Sequence, residues 1–553
     1  MDPISASCYS LHIEDGGLKK DGIRKQEELF VEMIVSNASL SRFEARNVKT
    51  LIPQIIATAI SASFHLVVGM SLAYSAILVP QLEDGSTDLT ATKAETTWIA
   101  SVIVIAVPIG ALFGGFIMDA KGRLNTIKLS TIPVLLGWGL IATANSVTMI
   151  LIGRILTGLG AAWFSSPAVV YITEIARPDI RGSLISSAPA FASLGMVLAY
   201  LKGWFFSWRT TAWLANAYVI IPAILIMFIP ESPAWLVSKG RIDEARRSLE
   251  WINRYQPKTH DEKQRTLSEM QLDLLIKDKK TKDDENALST NSSAGRTARA
   301  LLKPTGIKPI LILAGLFFFQ DFSGVYVTLF YSVTFFVEMG ATVNPYLASV
   351  LIGLVRFIMS MVNTYLLKRY KRRPLVMTSC AGMAVCMFIC GLYTYWIKTG
   401  SSTQTWIPVL FLLMYVLTSM IGMLPIPWTM TAELFPLEIR GIGHSISYSL
   451  ANLLMFASLQ CYRPLDAMLG GAHGILWFFA GISLLGILYA FVFLPETHGM
   501  KLKDIQEYFE HNFIFLGQEK VVKVEVKSRV EGSDGKMEPE LRKQLIEGNM
   551  AAA

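Results

Sequence analysis

Twelve apolar runs, each about as long as a helix that crosses a bilayer, follow one another along the chain and limit what it can fold into. They fall at 53–79, 96–118, 126–145, 148–172, 184–205, 210–229, 309–337, 345–367, 375–397, 406–431, 442–461 and 473–494, six before a polar centre and six after it. In hydrocarbon there is no water for backbone N–H and C=O groups, and a helix satisfies them within one segment. With 52% of residues hydrophobic and 17% charged, the charges must be gathered into loops and ends. The expectation is an all-α membrane protein of twelve transmembrane helices.

The two sets of six look like copies. The stretch EIARPDIRG from Glu174 to Gly182 is echoed by ELFPLEIRG from Glu433 to Gly441, with the same acid-to-arginine spacing. DAKGR at 119–123 has a degraded counterpart in KRYKRRP at 368–374, and PES at 230–232 is answered by PET at 495–497, in the same order. This duplication implies two pseudo-symmetric six-helix bundles. The boundaries read as a mobile N-terminal extension over 1–50, bundles over 51–230 and 309–496, a linker with small helices over 231–308, and a tail over 497–553. Within the linker, Ile242, Ala245, Leu249 and Ile252 share one face of a helix predicted over 240–255, and 278–299 reads as a flexible connection.

Lys and Arg in the short loops set the orientation. Ten lie on one side, at Lys121, Arg123, Arg177, Arg181, Lys368, Arg369, Lys371, Arg372, Arg373 and Arg440; five lie on the other, at Lys93, Lys202, Arg209, Lys398 and Arg463. Both termini and the central loop are therefore expected in the cytoplasm, where the sequons at Asn37 and Asn291 stay unglycosylated. The formal charge of +7 comes from this bias and calls for no nucleic-acid partner. The polar first fifty residues show no cleavable signal. Of five cysteines, Cys380, Cys386 and Cys390 cluster in one span, where packing explains them better than metal or redox chemistry. Gly69 and Ala73 make a small-residue face for close helix contact.

The run GGFIMDAKGR ending at Arg123 resembles the signature loop of the major facilitator superfamily. The rest of the chain resembles that superfamily's sugar-porter branch: Gly153-Arg154 with Gly158, Tyr171, Trp208-Arg209, PESP from Pro230, Gln320 with Ser323-Gly324, PIPW from Pro425, and the paired EIARPDIRG and ELFPLEIRG. The resemblance covers about residues 50 to 510, and within that branch the wording is nearest to insect facilitated trehalose transporters and their relatives. It implies alternating access, with acid and arginine latches among Asp119, Arg123, Glu174, Arg181, Glu231, Glu433 and Arg440 at the cytoplasmic rim. Their alternative is a topological role alone. Lys368 stands where the family usually has an acid and Lys371 where it has glycine, so the two halves are expected to differ in latch strength.

Three charges stand inside the membrane: Arg154, Asp321 and Arg356. Each is costly unless partnered, roughly 2.5 to 3.5 kcal/mol on insertion scales. Arg154 matches the family's fourth-helix arginine; Asp321 and Arg356 replace two amides, and are expected to form an ion pair near the cavity, or else a staple with no substrate contact. The substrate pocket implied by the resemblance keeps Gln320, Trp428 and Asn452 and changes elsewhere, with Pro189 for a glutamine, Tyr326 for an asparagine, Met420 for an acid and Leu453 for a tryptophan. Amides exchange hydrogen bonds with hydroxyls and an aromatic plane packs on a sugar ring. No Asp or Glu lies between Ile52 and Leu78, where proton-linked relatives carry a carboxylate, so facilitated diffusion is expected.

The reading is a plasma-membrane carrier of trehalose, a hexose or a related polyol, acting as a monomer without cofactor or metal. A proton-coupled symporter and a transport-dead nutrient receptor of the same fold are the rivals. An enzyme is not expected, since no nucleophile with a base, metal-ligand spacing or phosphate loop is visible.

Overall fold

The computed structural model describes residues 48–85, 88–256, 267–288, 300–436, 439–500 and 502–511. The sequons at Asn37 and Asn291, nearly all of the expected extension and most of the tail lie outside these residues. Among the described residues the regular structure is helical throughout. The first half comprises α1 (Ile52–Ser63) and α2 (His65–Glu83) in the first span, then α3 (Lys93–Lys121), α4 (Arg123–Ala142) and α5 (Val147–Ile175). The fifth span is α6 (Arg181–Ile185) with α7 (Ser187–Phe205), and the sixth is α8 (Trp208–Leu225).

Three helices come between the halves, α9 (Pro233–Ser238), α10 (Ile242–Ile252) and α11 (Leu267–Leu288). The second half contains α12 (Pro304–Phe322), α13 (Val327–Phe330) and α14 (Ser332–Glu338) in its first span, then α15 (Pro345–Arg369) and α16 (Arg372–Lys398). Its fourth span is α17 (Trp406–Ile421) with α18 (Pro425–Glu433), and after it come α19 (Arg440–Met468), α20 (Ala472–Phe493) and the outlying α21 (Leu502–His511).

Among the described residues, eleven helical segments are long and apolar enough to cross a membrane. The other expected span, α19, is 29 residues long, but Asn452, Gln460, Arg463 and Asp466 dilute its apolar character. The seventh span, expected as one run, is broken after Phe322, and the tenth is broken after Ile421 ahead of its Pro425-Ile-Pro427. Gly324 sits at the first break with φ +92, and a Cβ there would lie 2.5 Å from Phe479 Cδ2, so glycine alone fits. Pro425 and Pro427 cause the second, because neither has an N–H for the preceding turn.

The duplication is visible in the packing. In the first half α4 lies on α5, α3 on α5, α2 on α7 and α4 on α8; the second repeats this as α16 on α17, α15 on α17, α12 on α19 and α16 on α20. The halves meet through α7 against α15 and α3 against α19, again a related pair. The expected glycine face in the first span serves close approach: a Cβ on Gly69 would fall 1.7 Å from the carbonyl oxygen of Ala192.

The helix expected over 240–255 is α10, whose Ala245 and Leu249 pack with Trp235, Leu236 and Leu272 in a small apolar cluster. Residues 289–299 lie outside the described ones, and the flexible connection expected over 278–299 is corrected as far as Leu288, where α11 ends. Leu272 anchors its start, and the Lys, Asp and Glu beyond it continue the helix with no Gly or Pro to stop it.

The α2–α7 contact predicts that Gly69→Ala destabilises the protein by about 1 to 3 kcal/mol through overpacking. Gly139→Ala, where a Cβ meets nothing within 4 Å, should leave the melting temperature unchanged or slightly raised. Thermal melting of both purified variants, with size-exclusion chromatography afterwards, checks this.

Candidate functional site

The break in the tenth span creates backbone groups that need partners in an apolar bundle. Pro427 cannot donate to Met423, and the amide of Gln320 does so instead: its Nε2 donates to the carbonyls of Met423 at 3.1 Å and Leu424 at 2.8 Å. Ser379 closes the other side, accepting from Met423 N at 3.0 Å and donating to Thr418 O at 2.7 Å. The break is thereby held rigid, and it sets the direction of Trp428. That indole packs edge to face between Phe317, at 4.8 Å between ring centres, and Tyr448, at 5.7 Å. Asn452 lies one turn beyond Tyr448 and donates Nδ2 to its carbonyl at 2.8 Å.

Gln320, Trp428 and Asn452 are thus brought together by α12, α18 and α19. An amide can donate and accept, and the structure divides those roles for Gln320. Its NH2 group is spent on the backbone, and the oxygen Oε1, buried and without a protein partner, is what remains. Gln320 is an acceptor in this arrangement. Tyr326 is buried just beyond the break in the seventh span, while Leu453 is exposed.

The ion pair expected between Asp321 and Arg356 does not form. Both are buried, yet neither carboxylate oxygen of Asp321 has a hydrogen-bond partner, and Nε of Arg356 has none either. Both charges lie near the Tyr326 phenol without meeting each other, a placement that residue type could not reveal. Arg154, in contrast, is fully served by neutral acceptors. It donates from Nη1 to Ser71 O at 2.7 Å, from Nε to Ile99 O at 3.2 Å and from Nη2 to the Ser75 hydroxyl.

At the end bearing the sequence repeat, each half builds the same device. Arg123 grips Glu174, with Nη2 to Oε1 at 2.7 Å and Nε to Oε2 at 2.9 Å. Glu231 caps the start of α4, accepting from the backbone N–H of Arg123 at 3.1 Å and Leu124 at 3.0 Å. Helix N-termini expose unpaired N–H groups and partial positive charge, so a carboxylate belongs there. Gly122 leaves the space: a Cβ would lie 2.6 Å from Glu231 Oε2.

In the second half Arg372 reaches Glu433 at 2.9 Å, and Glu496 caps α16 through Arg372 N at 2.9 Å and Arg373 N at 3.2 Å. Thr497 shares the Glu433 carboxylate at 2.5 Å. Sequence reasoning missed Arg372, Glu496 and Thr497 as members, although the aligned repeats point to them.

Other latch candidates stand apart. Asp119 and Arg181 are exposed, and neither they nor Arg440 pair with a described residue of opposite charge; Arg181 reaches only its neighbour Ala176 O, at 3.3 Å. The pairs that do form stay inside one half, so in this structure they do not bridge the cleft. Lys368 in place of an acid leaves the second pair intact, because its counterpart Asp119 takes no part in the first.

A family model described as sugar (and other) transporter matches residues 56–509. The chain belongs to that family. As a member of the sugar transporter family it is a multi-pass membrane transporter and not an enzyme. A protein called facilitated trehalose transporter Tret1 from Culex quinquefasciatus is 31% identical over 462 residues, 83% of this chain and 86% of that protein. One of the same name from Apis mellifera ligustica is 33% identical over 460 residues, 82% of this chain and 88% of its own. Other such relatives are longer; the chain spans 51% of the one from Drosophila yakuba.

Among solved structures, the inward open conformation of the xylose transporter XylE from E. coli aligns with a TM-score of 0.65 at 20% identity, over 81% of this chain and 98% of that one. XylE bound to 6-bromo-6-deoxy-D-glucose gives 0.63 at 21%, over 83% and 99%. That likeness is one of fold, the twelve-helix fold of the major facilitator superfamily.

The unpartnered Asp321 yields a prediction. Were it paired with Arg356, Asp321→Asn would strand a buried charge and cost about 3 to 5 kcal/mol. With no pair to break, Asp321→Asn should melt no lower than the native protein in a thermal-shift assay.

Proposed function

We propose that this sugar transporter family member carries a small sugar across the plasma membrane by facilitated diffusion, and that trehalose is the first candidate. The convergence of Gln320 Oε1, Trp428 and Asn452 on the broken tenth span carries the reading. Together they offer an acceptor, an aromatic plane and an amide to a hydroxyl-rich molecule. Tyr326, Asp321 and Arg356 are proposed to complete the pocket from the seventh and eighth spans. The names of the insect relatives support trehalose, and the lost amides at Pro189 and Tyr326 support a substrate other than one held by many amide donors.

Uniport is supported by Arg154. A proton-driven device needs a carboxylate that gains and loses a partner through the cycle, and the acceptors around this arginine are two carbonyls and a hydroxyl; Asp321, buried and without a partner, is the carboxylate that the protonophore test addresses. The bias of Lys and Arg supports placing the repeat end and both termini in the cytoplasm. There Arg123–Glu174 and Arg372–Glu433, with the caps Glu231 and Glu496, are proposed to fix the rim of each half, and Asp119, Arg181 and Arg440 to engage when the halves close on that side. One chain holds the whole site, which supports action as a monomer.

Uptake of labelled trehalose, glucose, sucrose, fructose and inositol in cells lacking their own carriers tests the substrate. Trehalose uptake insensitive to a protonophore, and counterflow in proteoliposomes, are the expected results; binding without exchange would overturn transport, and acid-stimulated uptake would overturn uniport. Trp428→Ala should raise KM roughly tenfold, about 1.4 kcal/mol, with surface expression retained.

A further inference from the structure

We infer that Arg463 is the clasp that holds the cleft shut at the end opposite the repeat, and that it sets how readily that end opens. Such a clasp rests on alternating access, as proposed for this chain, but not on which sugar is carried. Arg463 lies on α19, in the second half. Its Nη2 reaches both carboxylate oxygens of Glu83, at 2.9 and 3.2 Å, and Glu83 ends α2, in the first half. This contact crosses the cleft, whereas Arg123–Glu174 and Arg372–Glu433 do not. The Thr96 hydroxyl lies 2.5 Å from Glu83 Oε1 and supports that carboxylate from α3.

A second acid attends the same guanidinium from its own half. Glu338, at the end of α14, lies 3.5 Å from Nη1 and accepts from the Tyr462 hydroxyl at 3.0 Å. The guanidinium also lies over the Tyr331 ring, 5.5 Å from its centre. Exposures of 14% for Arg463, 18% for Glu83 and 29% for Glu338 make this a partly dry cluster, in which charge counts for more than at an open surface. α13 and α14 pack on α2 as well, so parting the halves here must separate Glu83 from Arg463.

Asp466 and Lys93 lie within electrostatic reach of the cluster, but the two carboxylates that touch the Arg463 guanidinium give the clasp an internal opposition. When the end is shut, Glu83 gains Arg463 but is also drawn towards Glu338, a like charge. When it opens, Arg463 keeps Glu338 and is not left alone. Glu83 therefore favours the shut state and Glu338 opposes it. A contact that merely filled space would not give the two acids opposite signs.

A reporter thiol reads this directly. Ser101, buried on α3, accepts from Gln460 of α19 at 2.9 Å across the same interface. Ser101→Cys in a Cys461→Ser background, in the full-length chain in intact cells, is exposed to a membrane-impermeant maleimide from outside. Glu83→Gln and Arg463→Gln should each speed labelling by roughly fivefold. The double variant should be no faster than the quicker single, since both delete one contact.

Glu338→Gln should slow labelling. Unchanged rates in variants that reach the surface and run monodisperse would overturn the clasp. So would acceleration by Glu338→Gln, which would mean general loosening. Labelling only when the reagent is applied from the cytoplasmic side would overturn the proposed orientation and leave the clasp standing, and a negative uptake screen would bear on the substrate alone.

Discussion

A buried backbone carbonyl that loses its helical partner must find another, because hydrocarbon offers none. The candidate site depends on how this chain meets that demand. Pro425 and Pro427 interrupt the tenth span, and Gln320 and Ser379 take up the freed groups of Met423 and its neighbours. The break in the seventh span is met in the same way, with Tyr415 donating to Ser323 O and Tyr200 to Leu329 O, each at 2.8 Å. Irregular backbone is tolerated at membrane depth where the protein itself supplies the hydrogen bonds. Trp428 owes its position between Phe317 and Tyr448 to that supply.

The ends of the spans obey a related rule with charge added. Glu231 and Glu496 each cap the third span of their half, and beside each cap an arginine reaches a glutamate at the end of the next span. The copies have drifted apart in detail. Gly122 is needed in the first half at φ +103, whereas Lys371 enters the second with φ −65, yet the cap is made in both. The first pair engages the carboxylate through two nitrogens; in the second, Thr497 takes part of it. The device survives because it depends on a helix start, an acid and an arginine, and not on the turn between them.

The two ends of the molecule use charge differently. At the repeat end, arginine and glutamate stiffen each half by itself. At the other end, Arg463 joins Glu83 of the first half to Glu338 of the second. Rigid halves and a contact that spans them are the two requirements of a carrier that pivots about a central cleft.

The sequence by itself determined the architecture. Apolar runs of bilayer length force helices, and the repeated EIARPDIRG and ELFPLEIRG are legible because the spacing from acid to arginine is local. The breaks at Gly324 and Pro425 come from residue type, as does the gathering of Gln320, Trp428 and Asn452 once the family resemblance is read. What only the tertiary structure decided is which groups face one another across helices. Asp321 and Arg356 looked like a compensated pair and make no contact, since residue chemistry says nothing about the rotation of α12 against α15. Gln320 turned out to spend its donors on another helix, and Asp119 to make no ion pair with a described residue in this structure. Arg463 and Glu83 are separated by most of the chain, and no periodicity or motif links them; their meeting depends on how two rigid bundles are docked.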